Sequence, residues 1–312
     1  MNNGFIKVAA ATPKIKVGDC GHNALEICRL MDEVYKNGAQ FVVFPELCIT
    51  GYTCSDLFWQ SSMLEKAKVK LQAIADHSEG MELVAVVGLP ILHEGKLYNA
   101  AAVIYDGEIM GMVPKCHIPN YSEFYEARHF ASGKDLESKY VLLGVEAEEK
   151  ELTGHSYYTM SLNDDDYDDE YDDEWDFDDE FLFGPNILFK CENIENFTFA
   201  IEICEDLWVP NPPSTSHALA GATVIANLSA SDETTGKDIY RRNLVTGQSA
   251  RTLTAYVYAD AGEGESSTDL VFAAHNIIAE NGNILAEAER FQNETVYADI
   301  DLDRLAVERQ RM

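Results

Sequence analysis

The chain has 312 residues, 46% of them hydrophobic, with a formal net charge of −31 and seven cysteines. No apolar run approaches the roughly 20 residues that cross a bilayer, Met1-Asn2-Asn3-Gly4-Phe5 lacks the regions of a signal peptide, and an odd set of scattered cysteines reads as reduced thiols in a cytoplasmic protein. Thirteen acids fall within residues 164–180; with those removed from −31 the rest still carries −18, and without a Lys/Arg stripe it is a poor partner for a phosphate backbone.

Short β-rich runs alternate with helical patterns. Ile6–Thr12 reads as a strand, and Ala24–Tyr35 as an amphipathic helix ended by Asn37-Gly38. Phe41–Phe44 is a buried strand stopped by Pro45, residues 61–77 are helical, and Leu83–Leu89 is another apolar strand. Ala100–Tyr105 and Ile109–Val113 flank Asp106-Gly107, a strong hairpin signal. Residues 144–182 break the pattern: like charges repel, so the stretch reads as a disordered acidic insertion. Tyr167, Tyr171, Trp175 and Phe177 within it leave open a docking segment for a basic partner. Beyond it come a strand into Cys204, a helix near 214–221, the strand Thr223–Leu228, a helix near 237–254 and the strand Ala255–Ala259. Val271–Ala279 and Ile284–Glu289 then turn at Asn281-Gly282. Interleaved strands and helices predict an α/β fold in one domain.

Chemistry gathers at three strand ends. Phe197–Ile203 delivers Cys204 into a sharp acidic turn, Glu205-Asp206, with Trp208 and Pro210 close behind. Phe44-Pro45 delivers Glu46, and Val113-Pro114 delivers Lys115. Residues outside the carboxyl ends of strands in an open α/β sheet converge on one crevice. There the carboxylate would serve as base, the thiol as nucleophile, and the ammonium with the backbone N–H of Glu205 as oxyanion donors. Taken singly each feature has a bland reading, since buried cysteines are commonly inert packing and strand-end Glu and Lys are commonly surface ion pairs. The resting site is either a neutral thiol beside a charged Glu46 or a thiolate beside a protonated one. His117 and His129 lie in no protease signature, which argues against a Cys-His hydrolase. No CxxC pair or His cluster points to a metal.

These motifs resemble the Glu-Lys-Cys pattern of the nitrilase, or carbon–nitrogen hydrolase, superfamily, whose opening also resembles Gly18-Asp19 followed by Asn23. A closer likeness is to the N-terminal glutaminase domains of glutamine-dependent NAD⁺ synthetases. It rests on Cys48–Thr53, Leu57-Phe58, Ile118–Arg128, Cys204–Pro210, Asn227–Ser231, Tyr256–Tyr258 and Gly262–Ser266, and covers nearly everything but the acidic stretch. The resemblance implies a nitrilase-like αββα sandwich over residues 1–302 and hydrolysis of L-glutamine through a Cys204 thioester. It further implies that Glu126 orients Lys115 or the substrate and that Tyr52, Tyr121, Phe124 and Ser231 line the glutamine pocket, with Tyr52 and Phe124 equally readable as core aromatics and Ser231 as a cap.

Such enzymes carry a C-terminal synthetase domain fed by an ammonia tunnel, but no Ser-Gly-Gly-x-Asp-Ser loop occurs here. We therefore expect a glutaminase-only piece in which 303–312 begin the connection, ATP, Mg²⁺ and deamido-NAD⁺ belong to the missing domain, and no cofactor binds this one. A homo-oligomer is implied as well. The alternatives are an amidase of another small amide and a non-catalytic interaction module.

Overall fold

The structure, a computed structural model, describes residues 4–137, the strand 156–160 and residues 181–311. Its elements in chain order are β1 (Phe5–Ala10), α1 (Cys20–Lys36), β2 (Phe41–Val43), α2 (Ser61–His77), β3 (Val84–His93), β4 (Lys96–Tyr105), β5 (Glu108–Pro114), β6 (Ser156–Met160) and β7 (Ile187–Cys191). There follow β8 (Thr198–Ile203), α3 (Glu205–Trp208), α4 (Pro213–Ala220), β9 (Val224–Ser229), α5 (Lys237–Thr252), β10 (Ala255–Asp260), β11 (Ile277–Glu280), β12 (Asn283–Glu287), β13 (Val296–Asp301) and α6 (Leu302–Gln310).

The strands form two sheets, ordered β13-β1-β2-β3-β4-β5 and β12-β11-β10-β9-β8-β7-β6. Alternation along each strand decides which layer a side chain enters. Ile6, Val8, Phe41, Val43 and Val84 of the first sheet meet Phe199, Ile203, Val224 and Val257 of the second in the core between the sheets. The intervening Ala9, Val42 and Ala85 face outward and pack with Ile27, Met31 and Leu71 of α1 and α2. On the far side Ile225, Tyr256 and Tyr258 pack with Val245 of α5. The result is the expected αββα sandwich.

Within it β1, β2 and β3 are mutually parallel, as are β8, β9 and β10. Each block therefore ends its strands along one edge, where ligand-binding loops collect in parallel sheets.

The predicted turns form at Asp106-Gly107 and Asn281-Gly282, with φ of 46° and 84°, then 43° and 84°. Positive φ at both central residues is what a two-residue hairpin demands. A third such turn, Glu94-Gly95, joins β3 to β4; a glutamate there carries no Asn-Gly or Asp-Gly signal. The run Val271–Ala279 is strand only from Ile277. Before it Ala274 has φ 50°, and Asn276 turns inward to donate to Thr12 Oγ1 at 2.9 Å and to the Glu294 carbonyl at 2.8 Å. The strands β6, β7 and β13 were not anticipated; β13 alternates weakly but pairs antiparallel with β1 over six residues.

Residues 138–155 and 161–180 lie outside the described residues, and with them most of the expected acidic insertion. Its expected end at 182 is too late: Leu182 and Phe183 are buried, and Met112 N–H donates to the Leu182 carbonyl at 2.7 Å. Its expected span also contains β6, which pairs in parallel with β7. At the C-terminus Leu302 and Leu305 are buried in the inter-sheet core, and Arg309 Nη2 donates to the carbonyls of Ala218 and Ala222 at the end of α4, at 3.0 and 2.7 Å.

Candidate active site

Pro45 ends β2's pairing, and Glu46 follows with Leu47 at φ 52°. This loop lies directly over β3. A Cβ on Gly88 would stand 2.3 Å from Leu47 N and 2.7 Å from the Pro45 carbonyl, so only glycine permits the approach. Lys115 follows Pro114 of β5, its N–H bonded to the Asn99 carbonyl at 2.8 Å. Cys204 follows β8 and is anchored by its N–H to the Leu228 carbonyl at 2.9 Å. Its φ of 44° and ψ of −98° are strained for a non-glycine residue and persist only where surrounding contacts over-determine them.

Glu46 and Lys115 meet with no water between them. Lys115 Nζ donates to Glu46 Oε1 at 2.6 Å and to both Glu126 oxygens at 2.7 and 2.9 Å, and the Lys115 and Glu46 side chains are fully buried. Asn99 Nδ2 donates to Glu46 Oε1 at 2.6 Å, and the Ala230 N–H to Oε2 at 2.9 Å. Tyr52 Oη donates to Glu126 Oε1 at 2.8 Å. One ammonium thus sits between two carboxylates, each fixed by further donors.

Burial dominates the electrostatics. It pushes the Cys204 thiol well above its ordinary range, the Glu46 charge adds to that, Lys115 opposes it and Glu126 adds again. The backbone brings these groups together: the Cys204 N–H bonds the Leu228 carbonyl and the Glu46 N–H bonds the next one, Ser229, at 3.4 Å. Glu126 rises to about 7, because desolvation and the Glu46 charge outweigh Lys115. Burial disfavours the Lys115 ammonium, yet Glu126 and Glu46 raise it well above the usual value. These shifts describe a neutral thiol beside a permanently charged ammonium.

Cys204 lines a cleft of about 420 Å³, together with the predicted Tyr121, Phe124 and Ser231. Tyr121 Oη donates to the Glu205 carboxylate at 2.9 Å. Ser231 N–H donates to Asp260 Oδ1 at 2.9 Å, and its Oγ accepts from the buried Arg241 at 3.3 Å. Glu205 opens α3, whose first amides have no acceptor within the helix. Tyr52 lines an adjoining cavity of about 270 Å³ with Glu126, and Phe124 is a wall common to both. His117 and His129 are committed to Asp206 and Asp56, at 2.8 and 3.2 Å. Among the described residues no three His, Cys, Asp or Glu side chains converge as metal ligands.

Sequence reasoning missed several parts of the cleft. Lys237, at the start of α5, pairs with Asp232. Its ammonium lies 5.1 Å from the Trp208 ring and 5.4 Å from the Phe124 ring, within cation–π range. Asn99 and Gly88 carried a legible signal, a polar residue and a glycine inside strongly apolar runs.

A family model described as carbon–nitrogen hydrolase matches residues 7–310. A glutamine-dependent NAD⁺ synthetase of Mycobacterium tuberculosis is 39% identical over 312 residues, covering 99% of this chain and 41% of that protein. The chain thus spans less than half the length of such relatives. Among solved structures, a glutamine-dependent NAD⁺ synthetase from Cytophaga hutchinsonii superposes with a TM-score of 0.74 at 25% identity, over 95% of this chain and 43% of that one. An amidase from Nesterenkonia shares the fold along nearly its whole length, with a TM-score of 0.66, 16% identity and coverage of 98% and 96% of the two chains.

Proposed function

The chain belongs to the carbon–nitrogen hydrolase family, and from that premise we propose that it is a glutamine amidohydrolase, the ammonia-releasing part of a glutamine-dependent NAD⁺ synthetase. The observation that carries this reading is the buried, directly paired Glu46–Lys115–Glu126 cluster, with Cys204 at the edge of a polar cleft. Cys204 Sγ attacks the side-chain carbonyl carbon of glutamine while Glu46 takes the thiol proton. The developing oxyanion is held by Lys115 Nζ and the Glu205 N–H. Glu46 returns its proton to the departing nitrogen, the C–N bond breaks, and ammonia leaves a γ-glutamyl thioester. Glu46 then deprotonates a water that attacks the thioester, and glutamate and the thiol are released. Because the thiol rests neutral, Glu46 is needed in both halves of the cycle. Glu126 holds Lys115 in place.

The cleft also suits the zwitterionic end of glutamine. Glu205 offers a carboxylate to the α-ammonium, and Lys237 a cation to the α-carboxylate. Ser231, Tyr121 and Phe124 complete the walls, while Tyr52 supports the site through Glu126. A simple amide leaves both charges unused, which favours glutamine over the broader amidase reading.

On this reading the ammonia amidates deamido-NAD⁺ in a synthetase domain that holds ATP and Mg²⁺, with α6 leading toward it. The setting is cytoplasmic and the assembly a homo-oligomer. Ammonia release from glutamine, asparagine and acetamide tests the proposal. Glutamine should be strongly preferred, and Cys204→Ser should lose at least about 1000-fold in kcat. Undiminished release by that variant sinks the assignment of the nucleophile.

A further inference from the structure

Asp206 lies two residues past Cys204, is 1% exposed, and spends its carboxylate outside its own short helix. Oδ2 accepts the Ile203 N–H at 3.0 Å and the Cys116 N–H at 3.3 Å. Oδ1 accepts the His117 N–H and the His117 ring nitrogen Nδ1, each at 2.8 Å. Ile203 precedes Cys204, and Cys116 and His117 follow Lys115. One side chain therefore clamps the last residue of β8, in one sheet, to the two residues beyond β5 and Lys115, in the other.

We propose that Asp206 is a positioning residue that sets the separation of the Cys204 sulfur from the Lys115 ammonium. Two loops from different sheets have no covalent reason to hold a fixed spacing. The strained Cys204 backbone needs an outside contact to keep it from relaxing, and charge-assisted bonds into one carboxylate supply both constraints. Asparagine cannot replace it, having a single acceptor oxygen and presenting its NH₂ to donors that would be left unsatisfied. In the sequence Asp206 is only one acid of the turn after Cys204, and its bonds to Cys116 and His117 span 90 and 89 positions.

The inference rests on Cys204 being the nucleophile, and two readouts separate it from the glutaminase reading. The first is kcat and KM for glutamine; the second is the rate of Cys204 alkylation by iodoacetamide, which needs no hydrolase activity. Asp206→Asn should lower kcat about 30-fold, as sub-ångström misplacement does, with KM within about threefold and alkylation slowed in parallel. His117→Leu, at a part-exposed position with 26% side-chain exposure, removes the ring donor and should lower kcat about threefold. A folded Asp206→Asn variant with kcat and alkylation both within about twofold of the parent, or with only its melting temperature lowered, overturns the proposal. If Asp206→Asn does not fold, His117→Leu decides by the same readouts, and an unchanged kcat and alkylation rate there is equally fatal. If the parent releases no ammonia from glutamine, the glutaminase reading fails and the alkylation rates alone decide this one.

Discussion

Glu126 and Arg128 are two residues apart, and each belongs to a short ion pair: Glu126 with Lys115 at 2.7 Å, Arg128 with Asp56 at 2.9 Å. In the first the side chains are 0% and 5% exposed; in the second they are 59% and 61% exposed. Asp56 is held down to about 2 by its bonds to Arg128 and His129, with water still solvating the pair. Glu126, with a closer cation, is nevertheless raised to about 7, since removing water costs the carboxylate more than Lys115 returns. The same pairing chemistry therefore gives opposite outcomes on the two sides of one turn. Solvent, rather than distance, decides whether a charge is a surface ornament or a poised acid.

The largest test of that contrast is Lys115→Met, which leaves two buried carboxylates without their cation. We expect loss of measurable glutaminase activity and destabilisation of about 3–5 kcal/mol in urea unfolding. A loss under about 1 kcal/mol would mean that the cluster is wetter than its burial implies.

A smaller effect is expected from Glu126→Gln, read by pH. A carboxylate whose folded value is raised from 4.5 to about 7 favours its neutral form in the fold. Its stabilising contribution is complete below 4.5 and is lost as pH rises through 7. Glu202, also raised to about 7 by burial, has the same sign and remains in the variant. Urea midpoints across this window should fall less steeply for Glu126→Gln than for the parent; parallel slopes would assign the titration to Glu202 and to Asp260, which burial raises to about 6. The smallest effect belongs to Arg128→Ala, which should leave kcat within about twofold and the unfolding midpoint unresolved from the parent.

How much of this was legible follows from what each residue's role depends on. Glu46, Lys115 and Cys204 could be read because each follows an apolar strand, two of them directly after a proline that ends the ladder. Tyr52, Tyr121, Phe124 and Ser231 came from likeness alone; the structure places the last three along the cleft and Tyr52 in the adjoining cavity, bonded to Glu126. Lys237 was hidden as an ordinary helix residue, since only the fold brings it over Trp208 and Phe124. Asn99 stands out as a polar residue in an apolar run, but its partner, Glu46, is 53 positions away and only the fold names it.

Local order was thus written into the chain itself: apolar runs specified where buried strands lie, and Asp-Gly and Asn-Gly specified two of the hairpins, through backbone preferences that act over a few residues. The electrostatic state of the site was not. Whether Cys204 rests as a thiol, whether Glu126 holds a proton near neutrality and whether Asp206 joins two sheets all depend on water excluded by distant segments, and only tertiary packing excludes it.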